Sequence, residues 1–186
     1  MKKIVSIATV LLVALSLLSC KKDSNVTSGN VPDPAGTILV NLRNDTGRID
    51  LGKIEEEDGR SYVSTSLYLI VDKNNNLSIS GNTSTYQASC KTQSEILSLG
   101  NANGLGNLNT DKVPSVGWAE SMAAVKGNLY ILRFSCIWIS WSSDVQHNDE
   151  YYFGLYVVDS IVGTDNGILG YTVKYCPFTP GKGWNQ

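Results

Sequence analysis

Leu129-Tyr130-Ile131-Leu132-Arg133-Phe134-Ser135-Cys136-Ile137-Trp138-Ile139-Ser140 is the stretch that decides the fold. Its even positions hold Tyr130, Leu132, Phe134, Cys136 and Trp138, while Arg133 and Ser135 fall on odd ones. Successive side chains of a strand point to opposite faces, so this alternation gives one buried face and one mixed face. Outward from it, Thr37–Leu42, Tyr62–Val71, Leu77–Ser80, Glu95–Leu99, Tyr151–Val158 and Ile168–Tyr175 are further β-rich runs. Turn residues separate them: Asp72-Lys73-Asn74-Asn75-Asn76, the Gly/Asn-rich Gly100–Asn109, and Gly163-Thr164-Asp165-Asn166-Gly167. Glu120–Val125 is rich in Ala and Met, but Gly117 and Gly127 bracket it so tightly that a strand is expected. No long stretch carries a helical period. Many short strands with glycine-rich turns predict an all-β antiparallel β-sandwich or barrel-like domain.

The first twenty residues carry an address. Lys2 and Lys3 precede an apolar run, Ile4–Leu18, which ends in Leu17-Leu18-Ser19-Cys20. A spanning helix needs about 20 apolar residues, and this run is shorter and meets Lys21-Lys22-Asp23 at once. The pattern predicts a lipoprotein signal peptide over 1–19, with Cys20 as the lipidated N-terminus of the mature chain. Each buried methylene of an acyl chain contributes about 0.8 kcal/mol, so two or three chains anchor the protein to a membrane. Residues 20–35 contain little to bury and are expected to form a tether with a span of roughly 20 Å. The single domain is then 36–186.

The whole chain has 15 basic and 17 acidic residues, and loss of Lys2 and Lys3 makes the mature protein more acidic. Such a balance lacks the basic patch that neutralises phosphates, so nucleic acid is not an expected partner. With Cys20 acylated, Cys90, Cys136 and Cys176 remain. Three thiols allow at most one internal disulfide. Cys136 lies within an apolar strand and reads as a buried free thiol, so Cys90 and Cys176, nearer element ends, are the preferred pair if a disulfide forms. No C-x-x-C occurs, so zinc-ribbon and thioredoxin chemistry are not expected.

Few residues carry obvious chemistry. His147 is the one histidine and is expected in a solvated loop. No G-x-S-x-G elbow occurs. Asp72–Asn76 alternates oxygen side chains as calcium loops do, but it lacks their glycine and distal glutamate and is expected to be a hairpin turn. Carboxylate pairs for glycoside hydrolysis meet only in the fold and cannot be picked by spacing. Metals and cofactors are not expected. Aromatics are abundant, and Trp118, Trp141 and Tyr151 are the candidates for ligand contact, because some must leave the core.

Several segments together resemble a known family. They are Asp33-Pro34-Ala35-Gly36-Thr37-Ile38, Asn41-Leu42-Arg43-Asn44, LSLGNANGLGNL (97–108), VPSVGWAESMAAVKGNLY (113–130) and LYVVDSIVGTDNGILGYTVKY (155–175). Over roughly 33–180 the chain resembles uncharacterised lipoproteins of Bacteroidetes, a domain of unknown function. Where such proteins tend to have G-H-G-Y, this chain has Gly127-Asn128-Leu129-Tyr130. The resemblance implies an outer-membrane or cell-surface address, and it supplies no catalytic residues to carry over. The expected function is an envelope-anchored, non-enzymatic module that binds a glycan or an envelope protein. A glycan-active hydrolase and a fimbria-like structural subunit are the alternatives.

Overall fold

A computed structural model describes residues 26–27, 29–45 and 47–185. The expected signal peptide 1–19, the expected lipidation site Cys20 and residues 21–25 lie outside the described residues. The strands are β1 (Ile38–Arg43), β2 (Arg48–Asp58), β3 (Ser61–Val71), β4 (Asn76–Tyr86), β5 (Ala88–Asn101), β6 (Met122–Ala123), β7 (Asn128–Ser140), β8 (Gln146–Val162), β9 (Ile168–Thr179) and β10 (Gly183–Trp184). One sheet has the order β1-β9-β8-β7-β5, with β10 added to β9, and the other has the order β2-β3-β4-β6. All pairings are antiparallel. The two sheets pack face to face as a β-sandwich.

The main core lies between the sheets. β7 supplies Tyr130, Leu132, Phe134, Cys136 and Trp138, the even positions of the alternating run. They meet Val63, Leu67, Leu69 and Val71 of β3 and Leu77 and Ile79 of β4. Full burial of a large side chain such as Phe134 contributes about 1.5–3 kcal/mol. The Tyr130 hydroxyl is satisfied inside this core: it donates to the Ala123 carbonyl (2.8 Å) and accepts from Val125 N–H (2.9 Å). That clamp holds the expected strand at 120–125, of which Met122–Ala123 are strand.

The outer face of the larger sheet carries a second core at one end. Leu129, Ile131, Tyr152, Cys176 and Phe178 are buried there under Leu105, Leu108 and Trp184. So β7 is buried on both faces near its start, whereas Ile137 and Ile139 further along are exposed. The segment before residue 36 takes part in this cover. Thr27 N–H bonds the Asn107 carbonyl (2.9 Å), Asp33 accepts from Leu105 N–H (3.0 Å), and Asp33 pairs with Lys174 (2.6 Å). Residues of the expected tether thus touch the folded part: polar contacts hold the segment, and Val26 packs against the second core.

Two boundary differences have local causes. β2 is absent from the sequence expectation because a bulge between Asp50 and Gly52 shifts its phase. Ile49 faces inward before the bulge, Leu51 within it, and Ile54, Glu56 and Asp58 after it, so no single alternation spans the strand. β4 runs past Ser80 to Tyr86 because Gly81 is a packing glycine and not a turn. A Cβ there would lie 2.4 Å from the Phe134 ring. The chain then leaves one sheet for the other through Gln87 (φ 48°), whose carbonyl accepts from the Ser61 hydroxyl (2.6 Å) and Trp141 N–H (3.0 Å).

Candidate functional site

The bulged strand β2 sorts its acidic end onto two faces. Lys53, Glu55 and Glu57 point outward, and Glu56 and Asp58 point toward the larger sheet. Register extends the outward row across the sheet. Glu57, Tyr62 and Tyr86 align, as do Glu55, Ser64 and Ser84, and Lys53, Ser66 and Asn82. Small polar residues on the two middle strands and long ones on β2 make a groove of about 400 Å³, with Ser64, Ser66, Asn82 and Ser84 as its floor. That lies within the roughly 300–1,000 Å³ range of small-molecule sites.

Tyr62 lines one end of this groove and lies beside Tyr86, with ring centroids 6.2 Å apart and planes 25° from parallel. Both rings are solvent-facing, at 41% and 56% exposure, so together they form an aromatic platform on the sheet. At the other end of the same face the Arg48 guanidinium lies 4.3 Å from the Tyr68 ring. Lys53 and Glu55 form an ion pair within the wall, which raises the Lys53 pKa through hydrogen bonding and charge. The Ser66, Asn82 and Ser84 side chains make no hydrogen bond to another described residue, so their donors and acceptors are open to a ligand.

The inward row is structural. The Tyr151 hydroxyl donates to Glu56, and burial together with that carboxylate pushes the Tyr151 pKa well up. The Asp58 carboxylate accepts from the Ser143 hydroxyl and contacts His147 Nε2 at 3.2 Å. Those two bonds hold its pKa below the usual carboxylate range. His147 is half-buried on β8, not in a loop, and its ring stacks on Trp138 at 4.1 Å. Trp138 in turn donates its indole N–H to Asp149 at 2.9 Å. The order here is serine to aspartate to histidine. A nucleophilic triad needs the histidine between the hydroxyl and the carboxylate, so this cluster does not activate Ser143.

The three aromatics singled out from the sequence come to three separate places. Tyr151 faces inward to Glu56. Trp141 is exposed in the β7–β8 turn and is not among the residues that line the groove on β2, β3 and β4. Trp118 borders a second groove of about 640 Å³ between β4 and β5, with Gln93, Glu95 and Glu120. It is committed elsewhere, however. Its indole N–H bonds the Pro114 carbonyl (2.8 Å), and the Arg133 guanidinium covers its ring at 4.3 Å while also holding Glu95. Tyr62 and Tyr86 went unmarked because only cross-strand register brings them together.

The cysteines lie apart or unpaired. Cys90, Cys136 and Cys176 are all free thiols. Cys90 packs against the main core and Cys176 lies in the second one, with β7 and β8 between their strands. The Cys90–Cys176 pairing preferred from the sequence would have to span the two intervening strands, which the sheet order does not allow. In the Asp72 turn, Asp72 Oδ1 accepts from Asn74 and Asn76 N–H groups, both at 2.8 Å, and Asn75 takes φ 63°. The carboxylate is spent on its own hairpin. No group of three or more metal-ligating side chains occurs among the described residues. No known protein family matches the chain, and neither does a curated protein or a solved structure.

Proposed function

We propose that the protein is an envelope-anchored lipoprotein that binds a glycan, without turning it over, on the outer face of its four-stranded sheet. The observation that carries this is the groove itself: an exposed Tyr62–Tyr86 platform beside a floor of unengaged serine and asparagine side chains. Sugar rings have an apolar C–H face that rests on aromatic rings and hydroxyls that pair with amides, carboxylates and serines. A glycoside hydrolase buries one of its two carboxyls so that it keeps a proton. Glu55 and Glu57, the acids of this groove, are both exposed, which favours binding over hydrolysis. The anchor rests on Lys2-Lys3, the apolar run and Cys20.

The test is calorimetric titration of the chain lacking its first 20 residues. Soluble oligosaccharides of neutral hexose, N-acetylhexosamine and uronic acid type serve as probes. At least one class binds, and the paired Tyr62→Ala and Tyr86→Ala changes weaken it about ten-fold or more, near the 1.4 kcal/mol that one decade represents. Equal affinity in the variant contradicts the assignment.

One observation supports assembly as a second reading. On its outer edge β5 bonds Ala119 through Ile96, and no further backbone bond on that edge joins the described residues from Ala88 to Glu95. Such an edge is a template for another strand. Concentration-dependent oligomers in light scattering, abolished by Thr92→Pro, distinguish this reading from glycan binding.

A further inference from the structure

We propose that Cys90 and Cys136 are an internal dithiol that closes to a disulfide in oxidising surroundings and staples the edge strand β5 to β7. Cys90 sits opposite Trp138 and Cys136 opposite Thr92, so the two thiols occupy diagonal positions of the same antiparallel pair. They share a face: Cys136 is buried in the core between the sheets, and Cys90 packs against that core. The neighbouring Cys90 thiol, after burial, is a cause of the raised Cys136 pKa. Cys176 is no competitor. Its thiol lies in the other core, near the Ala35 and Asn185 carbonyls at 3.8 and 3.9 Å.

Diagonal cross-strand positions lie roughly 7–8 Å apart, beyond the Cα separation of about 4.4–6.8 Å that a disulfide usually spans. Closure therefore needs one strand to move slightly toward the other. β5 is the strand that moves, because over Ala88–Glu95 only β7 bonds it. A central strand held on both sides would resist that displacement.

The two thiols have distinct roles in the exchange. Cys90 is partly exposed and Cys136 is buried, so an external disulfide meets Cys90 first. Burial and the neighbouring thiol push the Cys136 pKa up, which also leaves first attack to Cys90. The Cys90 thiolate attacks the external disulfide and forms a mixed disulfide, releasing one thiol of the oxidant. Cys136, giving up its proton to solvent, then attacks the Cys90 sulfur and releases the second thiol. Two protein thiols are oxidised and one external disulfide is reduced to two thiols.

The function of the pair rests on the envelope address above, but its geometry does not. The experiment separates them. Full chain purified in detergent is reduced, exposed to oxidised glutathione, unfolded in acid, alkylated and mapped without reduction. The expected product is a monomer with a Cys90–Cys136 cross-link and an alkylated Cys176. The Cys136→Ser variant, with a native circular dichroism spectrum, retains glutathione on Cys90, and Cys90→Ser leaves Cys136 alkylatable after unfolding. Wild-type protein with both thiols alkylated, with glutathione retained on Cys90, or with a Cys90–Cys176 link overturns the proposal. Protein taken from cells by acid quench and alkylation reports the address. A cross-link there supports it, and free thiols there together with a cross-link in vitro overturn the oxidising address while supporting the pair.

Discussion

Single residues in this protein mean different things from what their local sequence implies. Gly81-Asn82 has the composition of a turn, and Gly81 instead gives β4 close approach to Phe134. The Gly81→Ala change puts a methyl group against a ring that is 1% exposed and has no free space to enter. It should lower unfolding free energy by about 1–3 kcal/mol, measured by urea denaturation. An unchanged midpoint contradicts that reading of the position. Tyr62 and Tyr86 are a second case. Nothing within either segment marks them, because they lie 24 residues apart in sequence and meet only through the register of β3 and β4. Removing their rings should weaken glycan binding and leave the urea midpoint nearly unchanged, since both are surface residues.

Among elements, β7 was the most legible and β2 the least. Strict alternation made β7 visible, and its inner face is as its even positions imply. The second core that buries Leu129 and Ile131 could not be read from β7, since it is supplied by residues from the N-terminal segment, the 102–118 region and β10. β2 was obscured twice, by its bulge and by the carboxylates at its inward positions. Those carboxylates are tolerated because Tyr151 and His147 reach them from β8. Tyr151→Phe removes the hydroxyl and leaves Glu56 facing the sheet without that donor. It should cost about 1–3 kcal/mol of stability by chemical denaturation. A neutral effect would show that water replaces the hydroxyl. The segment 26–35 makes the complementary point. Composition reports what a segment can bury, and it is silent about Asp33 reaching Lys174 and the Leu105 amide.

The whole molecule should be most stable across a central pH range. Asp58, Asp72 and Asp159 are held below the ordinary carboxylate pKa by their hydrogen bonds. As pH falls below about 4, the unfolded chain takes up protons that the folded one resists, so stability drops. Tyr130, Tyr151, Tyr152, Tyr171 and Tyr175 are shifted the other way, chiefly by burial. Above about pH 10 the unfolded chain loses phenolic protons that the fold retains, and stability drops again. Urea midpoints across pH should form a plateau with two falling limbs. A midpoint that keeps rising into acid contradicts the role given to those aspartates.

At the same scale, the sandwich class was legible because it follows from alternation and turns, whereas the site was not, because it follows from pairing. The central claim is that the face formed by β2, β3 and β4 is the ligand site. Amide chemical-shift mapping during titration with the oligosaccharide panel tests it most directly. The account predicts that the binding class perturbs resonances of Lys53–Glu57, Tyr62–Ser66 and Asn82–Tyr86 together. Perturbations centred on Trp118–Glu120 or Trp141, or none with any class, would contradict it.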